Sequence, residues 1–153
     1  MIDTPELRET TAQPAAVIRL TIPRSEIQKV MGPAIGEVIA AVTAQGIGPA
    51  GPVFSHHFRM TPDTFDFEVG VPITGPLTPT GRVTASELPA AKVARTVHHG
   101  GYEGLGEAWG ELVRWLAAEG HTPADDLWEC YTKGPESSPD SSTWCTDLYR
   151  PLR

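Results

Sequence analysis

Within Leu127 to Thr132 (LWECYT) a single carboxylate, Glu129, stands in a short β-like run with no charged residue in the two positions on either side. A carboxylate in such a run either faces water or is buried for a purpose, because burial is costly unless the group is paired, hydrogen-bonded or protonated. Tyr131 shares its face, since side chains two apart on a strand point the same way. Phe54 and His56 show the same spacing in Val53 to Met60 (VFSHHFRM), and Glu68 sits among the alternating apolar residues of Phe65 to Ile73 (FDFEVGVPI). Trp109 and Tyr102 share the apolar stripe of a helical pattern, and Trp144 belongs to the last strand-like run. A carboxylate ringed by aromatic faces suits a delocalised organic cation, through charge and the π-faces together. Each residue also has a plain structural reading: core for Phe54, Trp109 and Tyr102, strand surface for His56, and a solvated sheet face for Glu68 and Glu129.

Other chemistries find less support. The pairs His56-His57 and His98-His99 are neighbours on strands, so their rings point to opposite faces and neither pair chelates as a unit. There is no Cys-x-x-Cys and no helical His-x-x-x-His, so neither a metal nor a cofactor is expected. No Gly-x-Ser-x-Gly elbow and no phosphate-cradling Gly-x-x-x-x-Gly-Lys occurs. Cys130 and Cys145 are too few for a disulfide framework and read as reduced, inert buried thiols.

The elements that must carry these residues are set by periodicity. Val17 to Ile22 reads as a strand, and Ser25 three residues before Gln28 as a capping box. A helix is expected from Ile27, with Val30, Met31, Ala34, Ile35, Val38, Ala41 and Val42 on one stripe, Pro33 kinking or restarting it, and Gly46 ending it. Strands over Val53 to Met60 and Phe65 to Ile73 come next, then a Gly/Pro/Thr loop over Thr74 to Thr84. The order then repeats: a strand at Ala91 to Val97, a helix through Leu105, Ala108, Trp109, Leu112, Val113 and Leu116 ending at Gly120, a strand at Leu127 to Thr132, a polar loop, and a strand at Thr143 to Tyr149. The repeat spacing reads as about 75, which lays Val53-Phe54-Ser55-His56 on Trp128-Glu129-Cys130-Tyr131.

This predicts an α+β fold of two pseudo-twofold-related strand-helix-strand-strand halves, forming an antiparallel sheet assembly with a ligand cleft at the seam. Residues 1–14 read as a tail and 15–153 as one domain, with halves at about 15–75 and 88–153. A length of 153 residues and 40% hydrophobic composition suit a single globular domain. The net charge of −7 disfavours nucleic acid and anionic membrane as partners. About sixteen residues precede the first expected strand, too few for a helix-turn-helix, so direct DNA binding is not expected. The opening MIDTPELRET lacks a basic start followed by an apolar run, so a cytoplasmic location is expected.

Four stretches together resemble the GyrI-like effector-binding family, which is found attached to AraC-type and MerR-type regulators and also alone. They are Gly51-Pro-Val-Phe-Ser-His-His, Phe65-Asp-Phe-Glu-Val-Gly-Val-Pro, Leu88-Pro-Ala-Ala-Lys-Val-Ala with His98 to Glu103, and Trp128-Glu129-Cys-Tyr131. The likeness runs from about residue 15 to 153 and departs at Gly101, where the family usually has proline. The resemblance implies eight antiparallel strands in two half-domains and an aromatic-lined pocket whose buried glutamate, here Glu129, pairs with cationic aromatic ligands. It also implies an alternative, hydrolysis of strained cyclopropane-containing compounds assisted by that glutamate and a tyrosine, Tyr131 or Tyr102. A second alternative is a module that binds gyrase or another protein. The expected ligand-binding set is Glu129, Tyr131, Phe54, His56, Tyr102, Trp109, Trp144 and Glu68, with Glu129 and Tyr131 catalytic if the protein is an enzyme.

Overall fold

In the computed structural model, which describes residues 2–135 and 137–153, the chain forms eight strands and two helices. In chain order these are β1 (Glu6–Glu9), β2 (Gln13–Pro23), α1 (Ile27–Ala44), β3 (Phe54–Met60), β4 (Thr64–Pro72), β5 (Thr84–Leu88), β6 (Lys92–His99), α2 (Leu105–Ala118), β7 (Leu127–Lys133) and β8 (Cys145–Pro151). The fold class is α+β, and the strand pairs within each of its two compact units are antiparallel. The first unit is Thr11–Ala90; the second joins residues 2–10 to Ala91–Arg153.

In the first unit the strands lie in the order β3-β4-β2-β5. Helix α1 covers one sheet face, where Ala34, Val38, Ala41 and Val42 pack on Ala16, Ile18, Leu20, Phe67, Val69 and Val71. Even-numbered residues of β2 meet odd-numbered residues of β4, because Ile18 pairs with Val69 and Leu20 with Phe67. The second unit repeats the plan as β1-β6-β8-β7, with Ala108, Leu112 and Leu116 of α2 packed on Ala94 and Leu148. Both helices end alike. Gly46 at φ +69° and Gly120 at φ +78° take left-handed turns that suit glycine. The amides of Ile47 and His121 then donate back to Val42 and Leu116 at 3.1 and 2.9 Å.

The structure departs from the sequence expectations at several points. Residues 6–9, expected in a tail, form β1 and pair with β6 from Glu6↔Arg95 to Glu9↔Lys92. Residues 84–88, where no strand is expected, form β5 against β2. Both are short edge strands with mostly polar sequence, so neither carries the apolar alternation that marks a half-buried strand. The Ser25 capping box does not form: a 3-10 turn at Arg24–Glu26 leads into α1, and no side chain caps either start. Helix α1 runs through Pro33 without restarting. Pro33 and Lys29 are both exposed, so the carbonyl freed by the missing N–H can be solvated. Strand β8 starts at Cys145 rather than Thr143, because Ser141–Thr143 form a 3-10 turn capped by the Asp140 carboxylate.

Two features of the first unit yield measurable outcomes. Gly70 sits where a Cβ would lie 2.0 Å from the Ala16 carbonyl oxygen, which is backbone and has little freedom to yield. Gly70→Ala should therefore cost roughly 3 kcal/mol by overpacking, read as a lower denaturation midpoint. His57 is buried, stacked on Phe67 at 4.8 Å and 3.2 Å from the Ser55 hydroxyl. Burial first, and then the nearby His56 and Arg24, push its pKa down to about 4. The unfolded chain protonates this ring near pH 6.5 and the folded chain only near 4, so acidification across that window favours unfolding. The loss should reach roughly 3 kcal/mol and be absent in His57→Phe when the two are compared by denaturation at each pH.

Candidate functional site

Strand β7 turns Glu129 and Tyr131 towards α2, the face on which Leu148 also packs. Trp109 reaches the same place because it follows Ala108 on the buried stripe of α2. Its indole N–H donates to Glu129 Oε2 at 2.6 Å, and the Tyr131 hydroxyl donates to Oε1 at 2.8 Å. Glu129 is 8% exposed. Each hydrogen bond to a charged group contributes about 1.5–3 kcal/mol, which offsets part of the cost of holding the carboxylate away from water. An indole nitrogen can only donate, so Oε2 is an acceptor and carries no proton on that side. The carboxylate is thus oriented before any ligand arrives.

An aromatic path leads outward from this acid. The Tyr102 ring meets Tyr131 edge-on at 5.6 Å and Trp144 at 5.0 Å, and Tyr102 is 37% exposed. Trp144 is fixed by its own N–H, which donates to the Ser138 carbonyl at 2.9 Å. Tyr102 opens a 3-10 turn after Gly100, whose φ of +118° favours glycine, and Gly101 at φ −69°. That second φ is one proline adopts, so glycine at 101 leaves the chain on the path a proline would set.

Two residues of this region are missing from the sequence-derived set. Thr146 pairs with Tyr131 across β7–β8 and with His98 across β6–β8, so the three form a row over three strands. Thr146 is fully buried and His98 is 3% exposed. His98 Nε2 lies 3.0 Å from the Gly101 carbonyl, an acceptor, which assigns the ring proton to Nε2 and leaves Nδ1 a bare acceptor. Neither His98 Nδ1 nor Thr146 Oγ1 has a hydrogen-bond partner among the described residues. A signal for Thr146 was present: it holds a position in phase with Leu148, where an apolar residue is expected.

The remaining sequence candidates lie in the first unit. Phe54 is buried, His56 stacks on Phe58 at 4.3 Å, and Glu68 accepts from the Ser86 hydroxyl at 2.7 Å. His56 and Glu68 face each other across β3–β4, with Arg19 opposite Glu68 on β2. These groups occupy the sheet face away from α1. The repeat spacing on these strands is 74 rather than about 75, because each strand carries a register shift, between His57 and Arg59 in β3 and between Tyr131 and Lys133 in β7. Matching the shifts lays Ser55 on Glu129 and His57 on Tyr131, so the first-half equivalents of the acid pair are Ser55 and His57, not Phe54 and His56. A slip of one residue flips every side chain to the other face. The Ser55–His57 hydrogen bond is the first unit's counterpart of the Glu129–Tyr131 bond.

Among the described residues no three His, Cys, Asp or Glu side chains converge to hold a metal, and no helix is long and apolar enough to cross a membrane. Both cysteines are free and half-buried rather than buried as expected; burial first, and then Asp147 and Glu129, push the Cys130 thiol up to about 12.

Residues 3–153 match the model of the GyrI-like small molecule binding domain. The chain belongs to the GyrI-like family. Among solved structures this GyrI-like domain is similar to the EcmrR C-terminal domain, at 21% identity and TM-score 0.84, covering 98% of this chain and 97% of that one. It is likewise similar to EcmrR in a DNA complex, at 19% identity and TM-score 0.81, where 98% of this chain spans only 57% of the EcmrR chain. SAV2435 bound to tetraphenylphosphonium matches at 12% identity and TM-score 0.70, with 99% and 94% of the two chains covered. A hydrolase from Listeria innocua matches at 13% identity and TM-score 0.66, with 97% and 91% covered. No curated protein matches the sequence. At these identities the structural likenesses establish the fold.

The unpartnered row makes its own test possible. Thr146→Val replaces a buried hydroxyl that lacks a partner with a methyl of the same shape. The GyrI-like domain should gain about 1 kcal/mol of stability, because a desolvated polar group is removed at no cost in packing. Chemical denaturation measures this, and a loss of similar size would mean that the hydroxyl is engaged within the protein.

Proposed function

We propose that this GyrI-like domain captures hydrophobic aromatic compounds, cationic ones in particular, with Glu129 as the counter-charge and Trp109, Tyr131, Tyr102 and Trp144 as the aromatic surround. The role is sensing such compounds or holding them out of circulation. The observation that carries the reading is the Glu129 carboxylate, buried yet held at both oxygens by Trp109 and Tyr131. A carboxylate held at both oxygens at the end of an aromatic path suits a delocalised cation in both charge and surface. The likeness to SAV2435 bound to tetraphenylphosphonium, a cation of four phenyl rings, supports the same chemistry. Phe54, His56 and Glu68 face away from α1 within their own unit, so the proposal rests on the five residues of the second unit. Duplex DNA is not a partner in this reading, given the net charge of −7.

A second reading keeps the site and adds a reaction. Glu129 then orients or deprotonates a water, Tyr131 donates to the ligand's oxygen, and a strained or activated small molecule is hydrolysed. The bare His98 Nδ1 and the Thr146 hydroxyl favour this reading, because they are polar atoms beside Tyr131 with capacity to spare.

Isothermal titration with tetraphenylphosphonium tests the first reading. Glu129→Gln keeps the shape and removes the charge, so affinity should fall about ten- to a hundred-fold. Equal affinity in the two proteins would overturn the counter-charge role. Mass spectrometry of cyclopropane-bearing compounds incubated with the protein separates the readings: a water adduct formed by wild type and lost in Glu129→Gln at saturating compound establishes hydrolysis.

A further inference from the structure

On the face of β8 opposite Thr146, outside the site described above, three side chains form a linear relay. Cys145 and His99 are direct cross-strand partners at one end of the β6–β8 ladder. The Cys145 sulfur lies 3.6 Å from His99 Nδ1, and His99 Nε2 lies 2.9 Å from Asp3 Oδ1. Asp3 is fixed by its backbone: its amide donates to the Val97 carbonyl at 3.0 Å and its carbonyl accepts from the Thr96 hydroxyl at 2.6 Å. A carboxylate only accepts, so the ring proton belongs on Nε2 and the Nδ1 lone pair faces the thiol. This is the order nucleophile, base and orienting acid that activates a thiol for attack. Cys145 is half-buried and His99 and Asp3 are largely exposed, so an approaching molecule can reach the sulfur.

We propose that Cys145, His99 and Asp3 form a nucleophilic site that covalently captures soft carbon electrophiles of the α,β-unsaturated carbonyl class. His99 takes the thiol proton. The thiolate sulfur forms a bond to the β-carbon as the carbon–carbon π pair shifts towards the carbonyl. His99-H⁺ then returns its proton to the α-carbon. The product is a thioether, with no leaving group and no change in the total of electrons. The charged neighbours of the thiol are Lys133, its cross-strand partner on β7, and Asp147, two positions along β8. Lys133 favours the thiolate and Asp147 opposes it, which leaves His99 as the group that accepts the proton. The chain also contains its own comparison, since Cys130 is half-buried like Cys145 but burial and the nearby Asp147 and Glu129 hold its thiol protonated.

N-ethylmaleimide, a compound of this class, is the probe. Intact-mass and peptide mass spectrometry should find one adduct per chain, on Cys145, with Cys130 unlabelled. Labelling of wild type at pH 7 should be about ten-fold faster than in His99→Gln, because an unassisted thiol with a pKa near 8.5 is only a few per cent thiolate there. Asp3→Ala should fall between the two. Unchanged circular dichroism in both variants establishes that folding is intact. Equal rates for wild type and His99→Gln, or labelling of Cys130 as fast as Cys145, would overturn the proposal. None of these readouts involves Glu129, so they stand or fall apart from the proposed function.

Discussion

A carboxylate taken out of water must be solvated by the protein, and Glu129 is solvated by groups from two elements. Tyr131 comes from its own strand, and Trp109 comes from the helix that covers it. The indole bond makes the position of α2 on its sheet part of the site's electrostatics. A small shift of α2 would remove one of the hydrogen bonds that hold a buried carboxylate, a costly change. Much of the second unit is dictated by that constraint. Strand β7 must present alternate residues to the helix, α2 must place an aromatic donor one position after Ala108, and the turn before it must bring Tyr102 against Tyr131.

The same constraint explains why polar residues gather on that sheet face. His98, Thr146 and Tyr131 lie side by side on three neighbouring strands, where the first unit has Leu20, Phe67 and His57. Polar side chains in such a layer bring hydrogen-bonding demands, and two of those demands go unmet among the described residues. The arrangement fits a surface built to meet a ligand better than one built for packing alone.

Periodicity alone locates both helices and six of the eight strands, since helical and strand periods leave clear apolar patterns over α1, α2 and β4. Strands β1 and β5 are invisible to it because an edge strand needs only backbone partners and leaves no apolar mark. Glu129, Tyr131, Tyr102, Trp109 and Trp144 can be assembled from strand phase, helix stripe and resemblance together. Ser55 and His57 cannot. Their equivalence to Glu129 and Tyr131 depends on register shifts in β3 and β7, which are properties of pairing and have no local signature in a single strand. Thr146 and His98 are hidden for another reason: each is an ordinary strand residue until the cross-strand partner is known.

Matching the register shifts of the two sheets also sets their interiors side by side. Where the first unit buries Ile18, Leu20 and Phe67 under α1, the second places Thr96, His98 and Thr146 under α2. Each exchange gives up apolar area that would otherwise be withdrawn from water, on the order of 1.5–3 kcal/mol per large side chain. The two units therefore divide their labour. The first is the ballast, with the larger set of apolar side chains packed between helix and sheet. The second is the more weakly tethered, and α2 is held over its sheet by fewer apolar contacts. What apolar packing does not supply there the Trp109–Glu129 bond supplies in part, tying helix to strand by charge.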